Sequence, residues 1–234
     1  MNDFNHKEFR ISRPKQILSY FLKLPCYPFF DFFYRVLNKS KAIGLNNLPA
    51  NRKGVLIASN HVSGIDTTLI PLYSINKLST TPFVAPAKEE LFKVPLLGHI
   101  LSAWGAFPVK RRARDISSMR RIAYYANNYQ VMLFPEGTRS KTGKLLKGRA
   151  GAGWVVYKSR PVVVPTLVIN TQHYFWPGRT GPWFGVPYRV VFGNPMDLTQ
   201  YYKMPECKET SQKIADAIMK EIRAMKEKHK DLYI

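Results

Sequence analysis

Asn60-His61-Val62-Ser63-Gly64-Ile65-Asp66 places a histidine and an aspartate five positions apart, with a glycine between them that permits a turn. Such a pair can move a proton. A carboxylate bonded to one ring nitrogen fixes the tautomer and raises the basicity of the other. His61 is therefore a candidate general base and Asp66 its orienting partner. Taken alone, the pair fits equally a histidine that satisfies a loop hydrogen bond. Phe134-Pro135-Glu136-Gly137-Thr138-Arg139-Ser140 offers a carboxylate, two hydroxyls, an arginine and a glycine that lets backbone approach a ligand. Arg139 can clamp a phosphate in two-pronged fashion, and Glu136 can orient that arginine or a substrate hydroxyl. A structural turn with a local ion pair accounts for the same residues. Gly105-Ala106-Phe107-Pro108-Val109-Lys110-Arg111-Arg112 ends in three consecutive cations. They suit a phosphate site or a solvated basic face.

The elements around these residues follow an α/β rhythm. Val55–Ala58 reads as a buried strand that delivers His61 at its end. Asp66–Tyr73 opens a helix with Asp66 near its N-terminus. Phe83–Ala85 and Val131–Phe134 read as strands, the second stopped by Pro135 and leading into Glu136. Val162–Ile169, with Pro165 inside it, and Tyr188–Phe192 complete the strands. Leu96–Trp104, Ser117–Asn128, Gly151–Lys158 and Ser211–Lys230 read as helices, the last with Ile214, Ile218, Ile222 and Met225 on one face. The expected architecture is α/β: a central mixed, mostly parallel sheet flanked by helices. Residues 1–42 stand apart as an N-terminal amphipathic helical hairpin, basic and aromatic, and residues 43–234 form the main domain. Pro25 and Pro28 are expected to split that segment into two short helices. Arg10, Arg13, Lys15 and Lys23 beside Tyr20, Phe21, Phe29, Phe30, Phe32, Phe33 and Tyr34 suit a helix lying in a lipid headgroup layer, or a hairpin packed on the domain.

Composition narrows the function classes. The chain has 234 residues, 45% of them hydrophobic, which is enough for a real core and excludes disorder. A formal net charge of +21 points to anionic partners: lipid surfaces, phosphorylated substrates, acidic carrier proteins or nucleic acid. Cys26 and Cys207 form neither a disulfide framework nor a metal-ligand cluster, so the simplest setting is reducing and cytoplasmic. The apolar stretch from Ile17 to Leu37 is broken by Lys23, Pro25, Pro28, Asp31 and Arg35, and fits neither a membrane span nor a signal peptide. Gly137 to Lys144 fails as a nucleotide loop because Leu145 stands where Ser or Thr is needed.

The order of the blocks is more specific than any one of them. His61–Asp66, then Gly105–Arg111, then Phe134–Ser140, then Val163–Thr166 resemble the four sequence blocks of the glycerolipid acyltransferase family. The 1-acyl-sn-glycerol-3-phosphate acyltransferase branch is the most similar. Ala87-Lys88-Glu89-Glu90-Leu91 and Gly143-Lys144-Leu145 with Arg149 and Gly151 resemble the family's intervening segments. The resemblance implies acyl transfer from acyl-CoA or acyl carrier protein to the free hydroxyl of lysophosphatidate, with His61 and Asp66 catalytic. It implies substrate binding by Lys88, Lys110, Arg111, Glu136, Gly137, Thr138, Arg139 and Arg149. No metal and no cofactor beyond the acyl donor are expected. The implied partners are an anionic membrane surface and a lysophospholipid, not nucleic acid, with peripheral attachment at the cytoplasmic face. Glycerol-3-phosphate, another lysophospholipid or a lyso-aminolipid is the alternative acceptor. A non-catalytic basic module binding membrane or nucleic acid is the alternative of another class.

Overall fold

Short apolar runs bounded by turns form the middle of a seven-stranded sheet. The computed structural model describes residues 11–12, 26–75, 81–94, 96–110, 116–174 and 184–234. Its strands are β1 (Lys41–Ile43), β2 (Val55–Ser59), β3 (Phe83–Lys88), β4 (Ala106–Val109), β5 (Gln130–Leu133), β6 (Val162–Ile169) and β7 (Arg189–Phe192). Their spatial order is β1-β7-β6-β2-β5-β3-β4. Every neighbouring pair is parallel except β6 with β7. β2 to β6 therefore run one way and β1 and β7 the other, which is the mixed, mostly parallel sheet expected. All five residues of β2 are buried, as a parallel strand covered on both faces requires.

The side-chain alternation of each strand feeds two cores. Leu56 and Ala58 of β2, Val131 and Leu133 of β5, and Val163 and Leu167 of β6 point to one face. There they meet the helices Ile116–Asn128, Ala150–Ser159 and Lys208–Lys228. Val55, Ile57, Met132, Val164 and Val168 point to the other face. That face is covered by the helix Asp66–Ser74 and by the segment Cys26–Leu37, which begins as an α-helix and continues from Phe32 as a π-helix.

Several local expectations are corrected. Pro28 does not interrupt the helix Cys26–Asp31, while Pro25 and the expected split there lie outside the described residues. Pro28 lies in the first turn of that helix, where a missing N–H costs nothing because that group would have no intrahelical partner. Residues 1–10 and 13–25, including the first arm of the expected hairpin, lie outside the described residues. Tyr34 is buried in the sheet's own core, and β1 pairs with β7 across the expected division at 42/43. Ala106–Val109, given no element from sequence, is an edge strand; Pro108 is tolerated there because an edge leaves one side without ladder bonds.

Parallel strands finish at one edge of the sheet. His61 follows β2, Phe134 to Arg139 follow β5, Lys88 ends β3 and Lys110 follows β4, so these residues share that edge.

Candidate active site

The backbone leaves β2 through Asn60, whose side chain extends the sheet beyond its last ladder bond. Its Oδ1 accepts from the Val168 amide at 2.8 Å and its Nδ2 donates to the Val168 carbonyl at 3.2 Å. This anchors the turn that follows. Asp66, first residue of its helix, is fully buried, and its Oδ2 is the focus of the turn. The Val62 and Ser63 amides donate to it at 2.9 and 2.8 Å, and His61 Nδ1 lies 2.9 Å away. With two amide donors already on that oxygen, Nδ1 carries the proton toward it. Nε2 is then the lone-pair nitrogen. The helix N-terminus adds a favourable field for the carboxylate.

The imidazole is also held by its face. The Phe134 ring stacks on it at 3.8 Å between centroids and 9° between planes. The loops after β2 and β5 are further joined by the Ser140 amide, which donates to the His61 carbonyl at 2.8 Å. His61 itself is 7% exposed.

Glu136 lies beside this pair and is 1% exposed. Neither carboxylate oxygen closes a hydrogen bond among the described residues. Burial pushes its pKa up to about 7; the backbone amides of Leu146 and His61 lie near enough to offset part of this, and the Asp66 charge adds to it. Gly137, next in the chain, closes a tight turn by donating to the Phe134 carbonyl at 3.0 Å, with φ +69°. That conformation favours glycine. A Cβ there would also stand 3.0 Å from Cδ of Arg149, which lies across the turn and donates from Nε to the Glu136 carbonyl at 3.0 Å.

Two arginines adjoin this centre, and further cations follow in the same loop. A guanidinium nitrogen of Arg139 lies against the His61–Asp66 turn, 3.9 Å from where a Cβ on Gly64 would be. Arg139, Lys141, Lys144, Lys147 and Arg149 are all exposed, and none forms an ion pair among the described residues. Lys88 and Lys110 stand farther along the edge, exposed; Lys88 contacts Glu90 at 3.6 Å. The arrangement thus brings together His61, Asp66, Glu136, Gly137, Arg139 and Arg149. Thr138 sits half-buried between them, and Arg111 lies outside the described residues.

Phe134 and Asn60 stand in the quoted blocks with no chemistry of their own to mark them in sequence. A full-length apolar strand ending in an aromatic was the available signal for Phe134. Its stacking partner depends on β5 lying next to β2, which sequence does not state.

Residues 39–169, more than half of the chain, match the family described as Acyltransferase. The chain is 28% identical over 205 residues to a chloroplast 1-acyl-sn-glycerol-3-phosphate acyltransferase of Arabidopsis thaliana, covering 86% of this chain and 53% of the relative. It is 27% identical over 135 residues to a 1-acyl-sn-glycerol-3-phosphate acyltransferase of Borreliella burgdorferi, covering 56% of this chain and 52% of the relative. The chain spans about half the length of these curated relatives. Its fold is similar to the crystal structure of the 1-acyl-sn-glycerophosphate (LPA) acyltransferase PlsC from Thermotoga maritima. The TM-score is 0.65 and the identity 23%, over 94% of this chain and 86% of that one. The chain belongs to the Acyltransferase family.

Proposed function

We propose that the protein transfers an acyl group from a thioester donor, acyl-CoA or acyl carrier protein, to the free hydroxyl of 1-acyl-sn-glycerol-3-phosphate, giving phosphatidate. The observation that carries this reading is the His61–Asp66 pair, buried, clamped by two amides and stacked on Phe134. The names of the relatives support the choice of acceptor.

His61 Nε2 takes the proton of the acceptor hydroxyl as its oxygen attacks the thioester carbonyl. The carbon–sulfur bond breaks, and the imidazolium returns the proton to the departing thiolate, so no acyl-enzyme forms. A thiol with a pKa of about 8.5 leaves readily. Asp66 holds the imidazole in the required tautomer and stabilises its charged form. Arg139 and Arg149, with Lys88, Lys110 and Arg111 farther out, bind the acceptor phosphate. Glu136 supports the acceptor glycerol or an arginine, and Gly137 and Thr138 shape the loop against it. Lysophosphatidate stays in a bilayer, so the enzyme works at an anionic membrane surface, on the cytoplasmic side. No helix among the described residues is long and apolar enough to cross a membrane. Phe29, Phe32 and Val36 expose an apolar surface suited to lying on one.

The test is phosphatidate formation on vesicles by wild type and by His61→Ala. A general base contributes on the order of 10²–10⁴-fold, and the variant is expected to lose at least that much while keeping its melting temperature. Competition among lysophospholipids of different headgroup, glycerol-3-phosphate and a lyso-aminolipid assigns the acceptor.

A further inference from the structure

The chain between β3 and β4 exposes Leu91, Val94, Leu96 and Ile100, with Leu96 at 71%. Four large aliphatic side chains are thus exposed within ten residues of sequence, the density that marks an interaction surface. They are not free to turn inward. Gly98 packs so tightly on the preceding turn, Glu89–Lys93, that a Cβ there would stand 2.6 Å from the Phe92 carbonyl oxygen. The amides of Gly98 and Ile100 donate to the carbonyls of Val94 and Leu96 at 3.2 and 3.0 Å. Turn and helix Leu97–Ala103 are therefore one unit, flanked by the β3–β4 ladder from Ala85↔Ala106 to Lys88↔Val109. Leu96 is held at φ +64°, a costly backbone for a residue with a Cβ, and core packing does not explain it.

The unit starts where β3 ends, on the sheet edge that carries His61 and Glu136. Its helix ends against the N-terminal segment. Trp104 packs edge-to-face on Phe30 at 4.9 Å, and Phe29, Phe32 and Val36 of that neighbouring segment are exposed. Lys88 and Lys93 flank the patch as exposed cations; of the two acidic residues between them, Glu90 contacts Lys88 at 3.6 Å.

We infer that Leu91, Val94, Leu96 and Ile100 form a second membrane-seating surface, which enters the headgroup–acyl boundary of an anionic phospholipid bilayer and sets the edge carrying His61 against it. This rests on the membrane-surface reading of the proposed function and extends it from the N-terminal segment to the β3–β4 connection. Aliphatic side chains reach the acyl boundary while Lys88 and Lys93 meet lipid phosphates.

The experiment uses the full chain and vesicles of phosphatidylcholine with phosphatidylglycerol, without acyl donor or acceptor, so it is independent of catalysis. Leu96→Asp with Ile100→Asp is expected to lower vesicle partitioning about tenfold or more. Val162→Asp, at the opposite edge of the sheet, is expected to leave it unchanged. A fluorophore on Leu96→Cys, in a Cys26→Ser, Cys207→Ser background, gives a readout that survives if the double aspartate variant misfolds. Its emission shifts to the blue on adding vesicles, and the same label on Val162→Cys does not shift. Three results overturn the inference: unchanged partitioning, no shift at Leu96→Cys, or a concentration-dependent dimer that the Leu96 and Ile100 variants abolish. If Phe29→Ser with Phe32→Ser alone lowers partitioning, the membrane reading stands and the role of residues 91–100 falls.

Discussion

Asp66 Oδ2 is shared by one imidazole and two backbone amides, so the carboxylate both builds the turn and sets the ring. Asp66→Asn puts at most one acceptor atom where three donors converge. Turnover is expected to fall on the order of 10²–10⁴-fold, with a lowered melting temperature, read together in a steady-state assay and a thermal melt. Glu136 gives a pH signature. A carboxyl raised to about 7 holds its proton more tightly in the folded chain than in the unfolded one. Its contribution to stability is complete below the ordinary value of 4.5 and is lost as pH rises toward 7. Glu136→Gln removes this loss, worth about 3 kcal/mol. Urea melts at pH 5 and pH 8 are expected to show a smaller pH dependence in the variant than in wild type. The His–Asp spacing was legible because five residues with a glycine describe a local turn. The stacking of Phe134 on His61 was not, because it joins the ends of two strands far apart in sequence.

Strand order does the joining at the scale of elements. β5 enters between β2 and β3, and this insertion puts the Glu136 loop beside the His61 turn. Asn60 secures the other flank by bridging β2 to β6. Asn60→Ala takes two hydrogen bonds from Val168 in the buried sheet and is expected to cost about 1–3 kcal/mol, measured as a lower urea midpoint. The long strands and helices were readable from periodicity: β2, β6 and the helix Lys208–Lys228 fall where the apolar patterns put them. The outermost strands, β1 and β4, were not. Each is only three or four residues long and pairs on one side, so neither carries the apolar run that marks a covered strand. In β4 the adjoining Lys110-Arg111-Arg112 further masks the signal.

Charge and apolar surface work together across the whole molecule. On the proposed membrane reading, a net charge of +21 supplies a long-range pull toward anionic bilayers, and the exposed side chains near Phe29 and Leu96 a short-range, salt-insensitive one. Partitioning onto anionic vesicles is therefore expected to fall as salt rises from about 0.05 to 0.5 M and the screening length shrinks, then to level off above zero. On uncharged vesicles only the salt-insensitive part remains, and co-sedimentation across a salt series separates the two. Composition states the sign of the chain's own charge; the exposure of Leu91, Val94, Leu96 and Ile100 just after β3 required the fold.

The most direct test of the chemistry is the amount of phosphatidate formed from lysophosphatidate on vesicles, with acyl-CoA and with acyl carrier protein as donors, by wild type and by folded His61→Ala. Product from wild type with at least one donor, and a loss of about 10²-fold or more in the variant, is the predicted result. A His61→Ala protein that melts like wild type and still forms phosphatidate at the wild-type rate would contradict the assignment of His61 as the base.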